Sequence, residues 1–211
     1  MHVLFDLDGT LTDPKEGFVR SIQFAFSELN IELDPDINLE SYIGPPIHDT
    51  FKKLCGAGAP VDQAISLYRQ RYTTIGLFEN ELYEGILECL EQIISRADSI
   101  HVATSKPTVY SKRIIQHFKL DQYFVEVFGS NLDGTLSDKT ELLDHILQHQ
   151  QIAAEDTVMV GDTRFDMIAA KNHDIRALGV LWGYGSAEDL KNTGADQLCS
   201  HPGEIYRQIF T

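Results

Sequence analysis

The stretch Val3-Leu4-Phe5-Asp6-Leu7-Asp8-Gly9-Thr10 decides the fold of this 211-residue chain. Its apolar residues predict a short buried strand, which runs into two aspartates separated by one residue and then into glycine and threonine. Because alternate side chains of a strand share a face, we expect Asp6 and Asp8 to point the same way, about 6–7 Å apart along the backbone. Two such acids repel each other unless a cation or a shared proton lies between them. The pair therefore predicts one nucleophile and one acid or base around a hard divalent metal.

The simplest alternative is an aspartate-rich turn whose carboxylates only cap local backbone amides. The chain holds a partial copy of the motif, Leu132-Asp133-Gly134-Thr135, in which Asn131 takes the place of the first aspartate and no apolar run adjoins it. We interpret that copy as a polar loop, and we assign the chemistry to the first motif, which joins a strand to both acids.

Composition narrows the class of protein. Hydrophobic residues make up 43% of the chain, which fits a globular domain with an insertion. Acidic residues outnumber basic ones by 32 to 17, and the resulting charge of −15 argues against binding to nucleic acid or to an anionic membrane. No apolar run reaches the ~18–20 residues that span a bilayer. The immediate first strand leaves no room for a signal peptide, and three scattered cysteines suggest reduced thiols, so we expect a cytoplasmic protein.

The pattern beyond the first motif divides the chain in two. An amphipathic helix is predicted from Lys15, and the block that follows holds two more helices, with breaks at 34–36, 44–46 and 56–58. From Glu84 onward, helices alternate with apolar strands at 99–103, 123–128, 157–161, 176–181 and 196–199. This alternation predicts an α/β fold of three layers, a Rossmann-like parallel sheet covered by helices. We predict a core of residues 1–14 and 81–211, with residues 15–80 as a small inserted helical subdomain.

Polar side chains follow the strand at 99–103. Thr104, Ser105 and Lys106 come next, and Pro107 is expected to open a helix. Hydroxyls and free backbone amides at a helix start are suited to a phosphate oxygen, although ordinary capping explains the same residues equally well.

Further charged residues lie near the later strand ends. Asp162 follows the strand at 157–161, where it can join a metal site, and Asp166 begins the next helix; capping of that helix is the alternative. Lys139 lies at the start of a predicted helix, where the dipole disfavours a cation, so we expect it to face carboxylates unless it is simply solvated. Trp182 also follows a strand end and either flanks the site or packs.

Together these motifs resemble the haloacid dehalogenase superfamily of phosphohydrolases along nearly the whole chain. The stretches that carry the resemblance are Asp6-Leu7-Asp8-Gly9-Thr10, Thr104-Ser105-Lys106-Pro107, Lys139 and Gly161-Asp162-Thr163-Arg164-Phe165-Asp166. The helical insertion is similar to the cap that this family inserts at the same point. Gly44-Pro45-Pro46 and Leu82-Tyr83-Glu84-Gly85 resemble phosphoglycolate-phosphatase-like members.

The resemblance implies a phosphatase that hydrolyses a small-molecule phosphate monoester, phosphoglycolate or similar, through an aspartyl-phosphate. It implies that Asp6 is the nucleophile and that Asp8 is first the acid and then the base. It also implies that the Thr104 hydroxyl, the Ser105 backbone amide and Lys139 bind the phosphoryl oxygens.

The same resemblance implies a Mg²⁺ cofactor held by the Asp6 carboxylate, the Asp8 backbone carbonyl and Asp162. Asp166 is expected behind these ligands, where it would orient Lys139 or a metal-bound water. Two other functions fit the motifs: a sugar-phosphate phosphomutase of the same superfamily, and a regulatory protein that binds a phosphate ester without turnover. The motifs specify neither the ester nor an oligomeric state.

Overall fold

The computed structural model describes residues 1–56 and 60–211, so residues 57 and 58 of the predicted break at 56–58 lie outside the described residues. The chain divides into two compact units. Met1–Asp13 and Leu82–Thr211 form one, which we name the core unit, and Pro14–Glu81 forms the other, which we name the inserted unit. That the inserted unit acts as a cap stays a prediction. No helix in the described part of the chain is long and apolar enough to cross a membrane.

A parallel sheet organises the core unit. The strands of the described chain are β1 His2–Phe5, β2 Thr12–Asp13, β3 Glu81–Leu82, β4 Ser99–Pro107, β5 Glu126–Ser130, β6 Thr157–Gly161, β7 Arg176–Val180 and β8 Gln197–Cys199. Six of them form one sheet in the order β5-β4-β1-β6-β7-β8, and every neighbouring pair is parallel. The predicted parallel α/β sheet is therefore confirmed.

Helices flank this sheet. The α-helices of the described chain are α1 Lys15–Glu28, α2 Ile47–Cys55, α3 Val61–Arg71, α4 Ile86–Ile94, α5 Thr108–His117, α6 Lys139–Gln150, α7 Arg164–Asn172, α8 Ala187–Asn192 and α9 Ile205–Phe210. Leu4 of β1 packs in one buried cluster with Leu142 of α6 and Met167 of α7. Val3 and Phe5 are equally buried, and strand alternation turns them to the other face. The central strand is thus apolar on both faces, and this packing fixes the position of its carboxyl end, where Asp6 follows.

The first motif departs from its predicted geometry. Strand β1 ends at Phe5, so Asp6 and Asp8 do not lie on a strand, and the expectation that strand alternation aligns them is wrong. The Asp6 amide still donates to Val160 O (2.9 Å), but the Leu7 carbonyl then accepts from the amides of residues 10, 11 and 12. This tight turn, rather than the pleat of a strand, sets the directions of the two carboxylates.

The second motif also differs from its prediction. Strand β4 continues through Lys106 to Pro107, and Pro107 is the N-cap residue of α5, which begins at Thr108, one residue later than predicted. The neighbouring strand β5 runs to Ser130, beyond its predicted end. There the Ser130 hydroxyl donates to Ser105 O (2.8 Å) and the Thr108 hydroxyl donates to Gly129 O (3.0 Å). Because these bonds satisfy the backbone beyond Thr104, the chain stays extended.

The inserted unit is helical, as its sequence predicts. Its core holds aromatic rings from all three helices: Phe51 of α2 stacks on Phe26 of α1 and meets Tyr68 of α3 edge to face. The predicted helix 60–74 becomes α3 followed by a π-helical turn over Tyr72–Gly76. The Leu77 amide closes that turn onto Tyr72 O (2.8 Å), which is an i→i+5 bond.

Candidate active site

Lys139 lies among the acids that follow the strands. It is the first residue of α6, next to the capping residue Asp138, and its side chain is 5% exposed. Its ammonium donates to Asp6 Oδ1 (2.7 Å) and to Ala103 O (2.8 Å), and it lies 2.8 Å from Asp166 Oδ1. The sequence analysis placed this lysine opposite carboxylates on the basis of the helix dipole, and the structure brings two of them to it.

The electrostatics of this group follow from its burial. Loss of solvation raises the pKa of Asp6 to about 6, while the Lys139 ammonium works against that rise. Burial alone would lower the pKa of Lys139, but Asp166 and Asp6 outweigh it, so the pKa of this lysine lies above its ordinary value. The cation is therefore stable in a buried place because it is shared by two anions.

Asp162 adds a third buried carboxylate. Its Oδ2 accepts from the Tyr184 amide (2.8 Å), and its Oδ1 accepts from the Thr10 hydroxyl (3.3 Å). Burial, and then the charges of Asp6 and Asp166, raise the pKa of Asp162 well above its usual range. Without a cation nearby, the negative charges of Asp6 and Asp166 therefore disfavour the ionised form of Asp162.

The three acids form a set that fits a divalent cation. Asp6, Asp162 and Asp166 each offer a carboxylate oxygen, and these oxygens lie within 4.8 Å of one another. Oxygen-only donors are what Mg²⁺ and Ca²⁺ prefer, and a cation here would relieve the repulsion that raises the pKa of Asp162. The cluster therefore fits a divalent cation and includes Asp6 and Asp162 of the ligands that the sequence implied, while the Asp8 carbonyl as a ligand stays a prediction.

Asp166 has a second function within the fold. Its Oδ2 accepts from the Thr163 amide (3.0 Å) and hydroxyl (2.8 Å), which closes a capping box at the start of α7. The capping alternative and the orienting role thus coexist, since the other carboxylate oxygen contacts Lys139. Its position behind the metal, rather than on it, stays a prediction.

Asp8 lies apart from these three acids. Its carboxylate contacts the Lys106 ammonium at 2.7 Å through Oδ1 and at 2.6 Å through Oδ2. Lys106 belongs to one of the sequence motifs, but the motif alone predicted no role for it. A lysine just past the hydroxyls of a strand end was the signal that could have found it.

The predicted phosphate-binding groups also make local contacts. Thr104 is buried, and its hydroxyl accepts a bond from the Lys106 amide (3.3 Å), while Ser105 O accepts from the Ser130 hydroxyl. Thr104 and Ser105 lie in the chain between Ala103, whose carbonyl Lys139 contacts, and Lys106, which contacts Asp8. Their contact with a phosphoryl group stays a prediction.

The loop after β7 completes the surroundings of Asp162. Trp182 donates its indole N–H to Thr10 O (3.0 Å) and meets the Tyr83 ring edge to face, with centroids 6.5 Å apart. The Tyr184 hydroxyl donates to the Asp13 carboxylate. Trp182 therefore packs on the first motif. The sequence left its role open, and it gave no sign that the amide of Tyr184 would hold Asp162.

Known proteins resemble this chain over most of its length. The sequence model of the haloacid dehalogenase-like hydrolases matches residues 3–180. A Pseudomonas aeruginosa protein named 5′-nucleotidase is 41% identical over 201 residues, which cover 94% of this chain and 90% of that protein. The tyrosine-protein kinase PtkA of Mycobacterium tuberculosis is 36% identical over 192 residues, which cover 90% of this chain and 65% of that protein. A crystal structure described as a predicted phosphatase from Clostridium acetobutylicum has a TM-score of 0.91 at 37% identity, covering 99% of this chain and 97% of that one.

Proposed function

Because this chain belongs to the haloacid dehalogenase-like hydrolase family and is a phosphoric monoester hydrolase, we propose that it cleaves small phosphate monoesters with Mg²⁺ through an aspartyl-phosphate on Asp6. The observation that carries the proposal is the buried contact of Asp6 with Lys139 beside Asp162 and Asp166. A nucleophilic carboxylate needs its charge, and the adjacent ammonium supports that charge inside a buried site. A water-exposed acid would need no such partner.

The first half of the reaction forms the covalent intermediate. An oxygen of Asp6 attacks phosphorus as the bond from phosphorus to the leaving oxygen breaks, and Asp8 gives its proton to that oxygen. In the second half, Asp8 takes a proton from water, the water oxygen attacks phosphorus, and the bond to Asp6 breaks to release phosphate. Each residue thus returns to its starting state.

The remaining groups would bind the phosphoryl oxygens and offset the negative charge of the substrate. Thr104, the Ser105 amide and Lys139 would hold the phosphoryl oxygens. Mg²⁺ held by Asp6, Asp162 and the Asp8 carbonyl would supply positive charge that offsets substrate charge. Local cations therefore let an anionic ester approach a chain whose net charge is −15.

A nucleoside 5′-monophosphate is the substrate class that we favour over phosphoglycolate. The support is the 5′-nucleotidase name of the Pseudomonas aeruginosa relative at 41% identity. The core residues suit either ester, since they act on the phosphoryl group that both share. A panel of nucleoside monophosphates, phosphoglycolate, pyrophosphate and sugar phosphates should give the highest kcat/KM with a nucleoside monophosphate.

Asp6→Asn tests the mechanism. The substitution keeps the shape of the side chain and removes the attacking charge, so phosphate release should fall to background, a loss of at least about 10⁴-fold. Circular dichroism checks that the variant is folded. Excess chelator should silence the wild-type enzyme and Mg²⁺ should restore it.

Three results would contradict this scheme. Full activity of the variant would remove Asp6 as nucleophile, and undiminished turnover of stripped enzyme in chelator would remove the metal. Phosphate that appears only as a sugar bisphosphate, and never free, would instead identify a phosphomutase.

A further inference from the structure

Lys106 makes the second lysine–carboxylate contact of the site. Its ammonium reaches both oxygens of Asp8, at 2.7 Å and 2.6 Å, although the residues are 98 positions apart in the chain. The side chains of Lys106 and Asp8 are only 10% and 16% exposed. A contact to both oxygens of a partly buried carboxylate fixes its position and its rotation more firmly than a single bond does.

The backbone of Lys106 is itself held on two sides. Its amide donates to the Thr104 hydroxyl (3.3 Å), and it lies in a register shift of β4 between Thr104 and Pro107, two residues that both pair with β5. The extended path of β4, which the sequence did not predict, thus places the lysine opposite the turn that carries Asp8. The side chain is directed by a strand rather than by a loose loop.

The two lysines divide the acids between them. Lys139 contacts Asp6 and Asp166, two of the three acids of the carboxylate cluster, whereas Lys106 contacts Asp8, which is not a member of that cluster. In the proposed reaction Asp6 is the nucleophile and Asp8 handles protons. Each lysine therefore supports a different role, Lys139 that of the nucleophile and Lys106 that of the proton-transfer group.

We propose that Lys106 is a positioning residue for the proton transfer that Asp8 performs, an inference that rests on the proposed function. As the bond from phosphorus to the leaving oxygen breaks, the proton moves from Asp8 to that oxygen and a carboxylate forms. The ammonium of Lys106 already lies where this charge develops, so it stabilises the charge and holds the carboxylate for the water attack that follows.

The test uses kcat/KM across esters whose leaving groups differ in basicity. Lys106→Met should lower kcat/KM about 10–100-fold for alkyl phosphates such as nucleoside 5′-monophosphates, whose leaving oxygen must be protonated. It should lower kcat/KM less than about threefold for p-nitrophenyl phosphate, whose leaving group needs little protonation. The ratio between esters does not depend on the folded fraction, so it stays informative if the variant is less stable. Lys106→Arg should recover part of the loss, and the exposed Lys112→Met on α5 should change neither ester.

A double-mutant cycle then asks whether Lys106 acts through Asp8. Asp8→Asn should show the same selective loss, and adding Lys106→Met to it should cause less than about a twofold further change. An equal loss for all esters, or an undiminished effect in the Asp8→Asn background, would mean that Lys106 binds the phosphoryl group directly and would overturn the proposal. No loss for any ester would overturn it as well. Failure of the proposed function is a separate result, seen as full activity of Asp6→Asn.

Discussion

The Lys139 ammonium is fully engaged by the protein. An ammonium has three hydrogens; Lys139 donates to Asp6 and to Ala103 O, and it forms a 2.8 Å ion pair with Asp166. A phosphoryl oxygen that Lys139 binds must therefore replace one of these contacts. The backbone carbonyl is the neutral acceptor of the three, so it is the contact whose exchange for a phosphate oxygen costs least.

The pKa of Asp6 links this site to stability. Burial raises it to about 6 from the ordinary 3.8, so between those pH values the folded metal-free protein binds a proton that the unfolded chain does not. The stability that this proton contributes is present below pH 4 and is lost as the pH rises through 6. At neutral pH the ionised carboxylates thus lower the free energy of unfolding of the metal-free protein. A cation bound to them would raise it again.

The pKa of His101 is lowered, whereas that of Asp6 is raised, so His101 should make stability depend on pH in the opposite direction. This β4 residue has no exposed surface, and burial lowers its pKa from 6.5 to about 4. Its Nε2 lies 2.9 Å from Ser99 Oγ, and among the described residues its Nδ1 has no hydrogen-bond partner. The unfolded chain takes up a proton near pH 6.5 that the folded chain resists, so stability should fall as the pH drops from 6.5 to 4, by about 3 kcal/mol.

His101→Phe should remove that pH dependence, because phenylalanine has a similar ring, packs against Phe128 and takes no proton. The measurement is urea unfolding of both proteins from pH 7 to pH 4 in chelator. The difference between the two curves cancels the contribution of the aspartate cluster. Parallel curves for the His101 variant would contradict the prediction.

Among the elements, the loop after β7 holds Asp162, which we propose as a metal ligand. Gly183 lies so close to the site that a Cβ atom built on it would be 2.4 Å from Asp162 Oδ2 and from Gly9 O. The backbone of the first motif cannot yield to such an atom, so Gly183→Ala should displace Asp162. We expect the Kd for Mg²⁺ to rise about 10–100-fold, as it does when groups that support metal ligands are changed.

Isothermal titration of the stripped protein with Mg²⁺ measures this effect. Gly134→Ala is the matched control, because a Cβ atom there meets nothing within 4 Å. Its φ of 92° costs the alanine about 1 kcal/mol of stability without touching the site. Equal Mg²⁺ affinity in both variants would show that Asp162 does not depend on this loop.

The sequence predicted elements better than contacts. Apolar runs identified every strand of the large sheet, because buried strands need continuous apolar residues. The short helix α8 escaped notice, since Ala187–Asn192 offers little periodicity in six residues. Asp162 was placed at the site because parallel strands bring their carboxyl ends together, and Lys139 because the helix dipole disfavours a solvated cation at the start of α6. It did not assign Lys106 or the amide of Tyr184, since their roles depend on how β4 extends and how the loop folds.

For the whole molecule, we propose that the core unit carries out the reaction and that the inserted unit selects the substrate. The residues assigned to the reaction all belong to the core unit, and Pro14–Glu81 contributes none of them. Within the inserted unit, Pro45 and Ile47 are half-buried at the turn before α2, where two prolines restrict the backbone. We expect this turn to present a rigid surface to the leaving group of the ester.

The double variant Pro45→Ala/Ile47→Ala should therefore change the relative kcat/KM among natural esters by about 5–50-fold. It should affect p-nitrophenyl phosphate much less, because that small ester uses few contacts beyond its phosphoryl group. The chain supplies a matched control, since Pro35 and Ile37 have the same residue types and spacing at another turn of the inserted unit. Pro35→Ala/Ile37→Ala should leave the preference unchanged. If the first variant slows all esters by one factor, the turn serves the stability or movement of the inserted unit, and specificity must come from other residues.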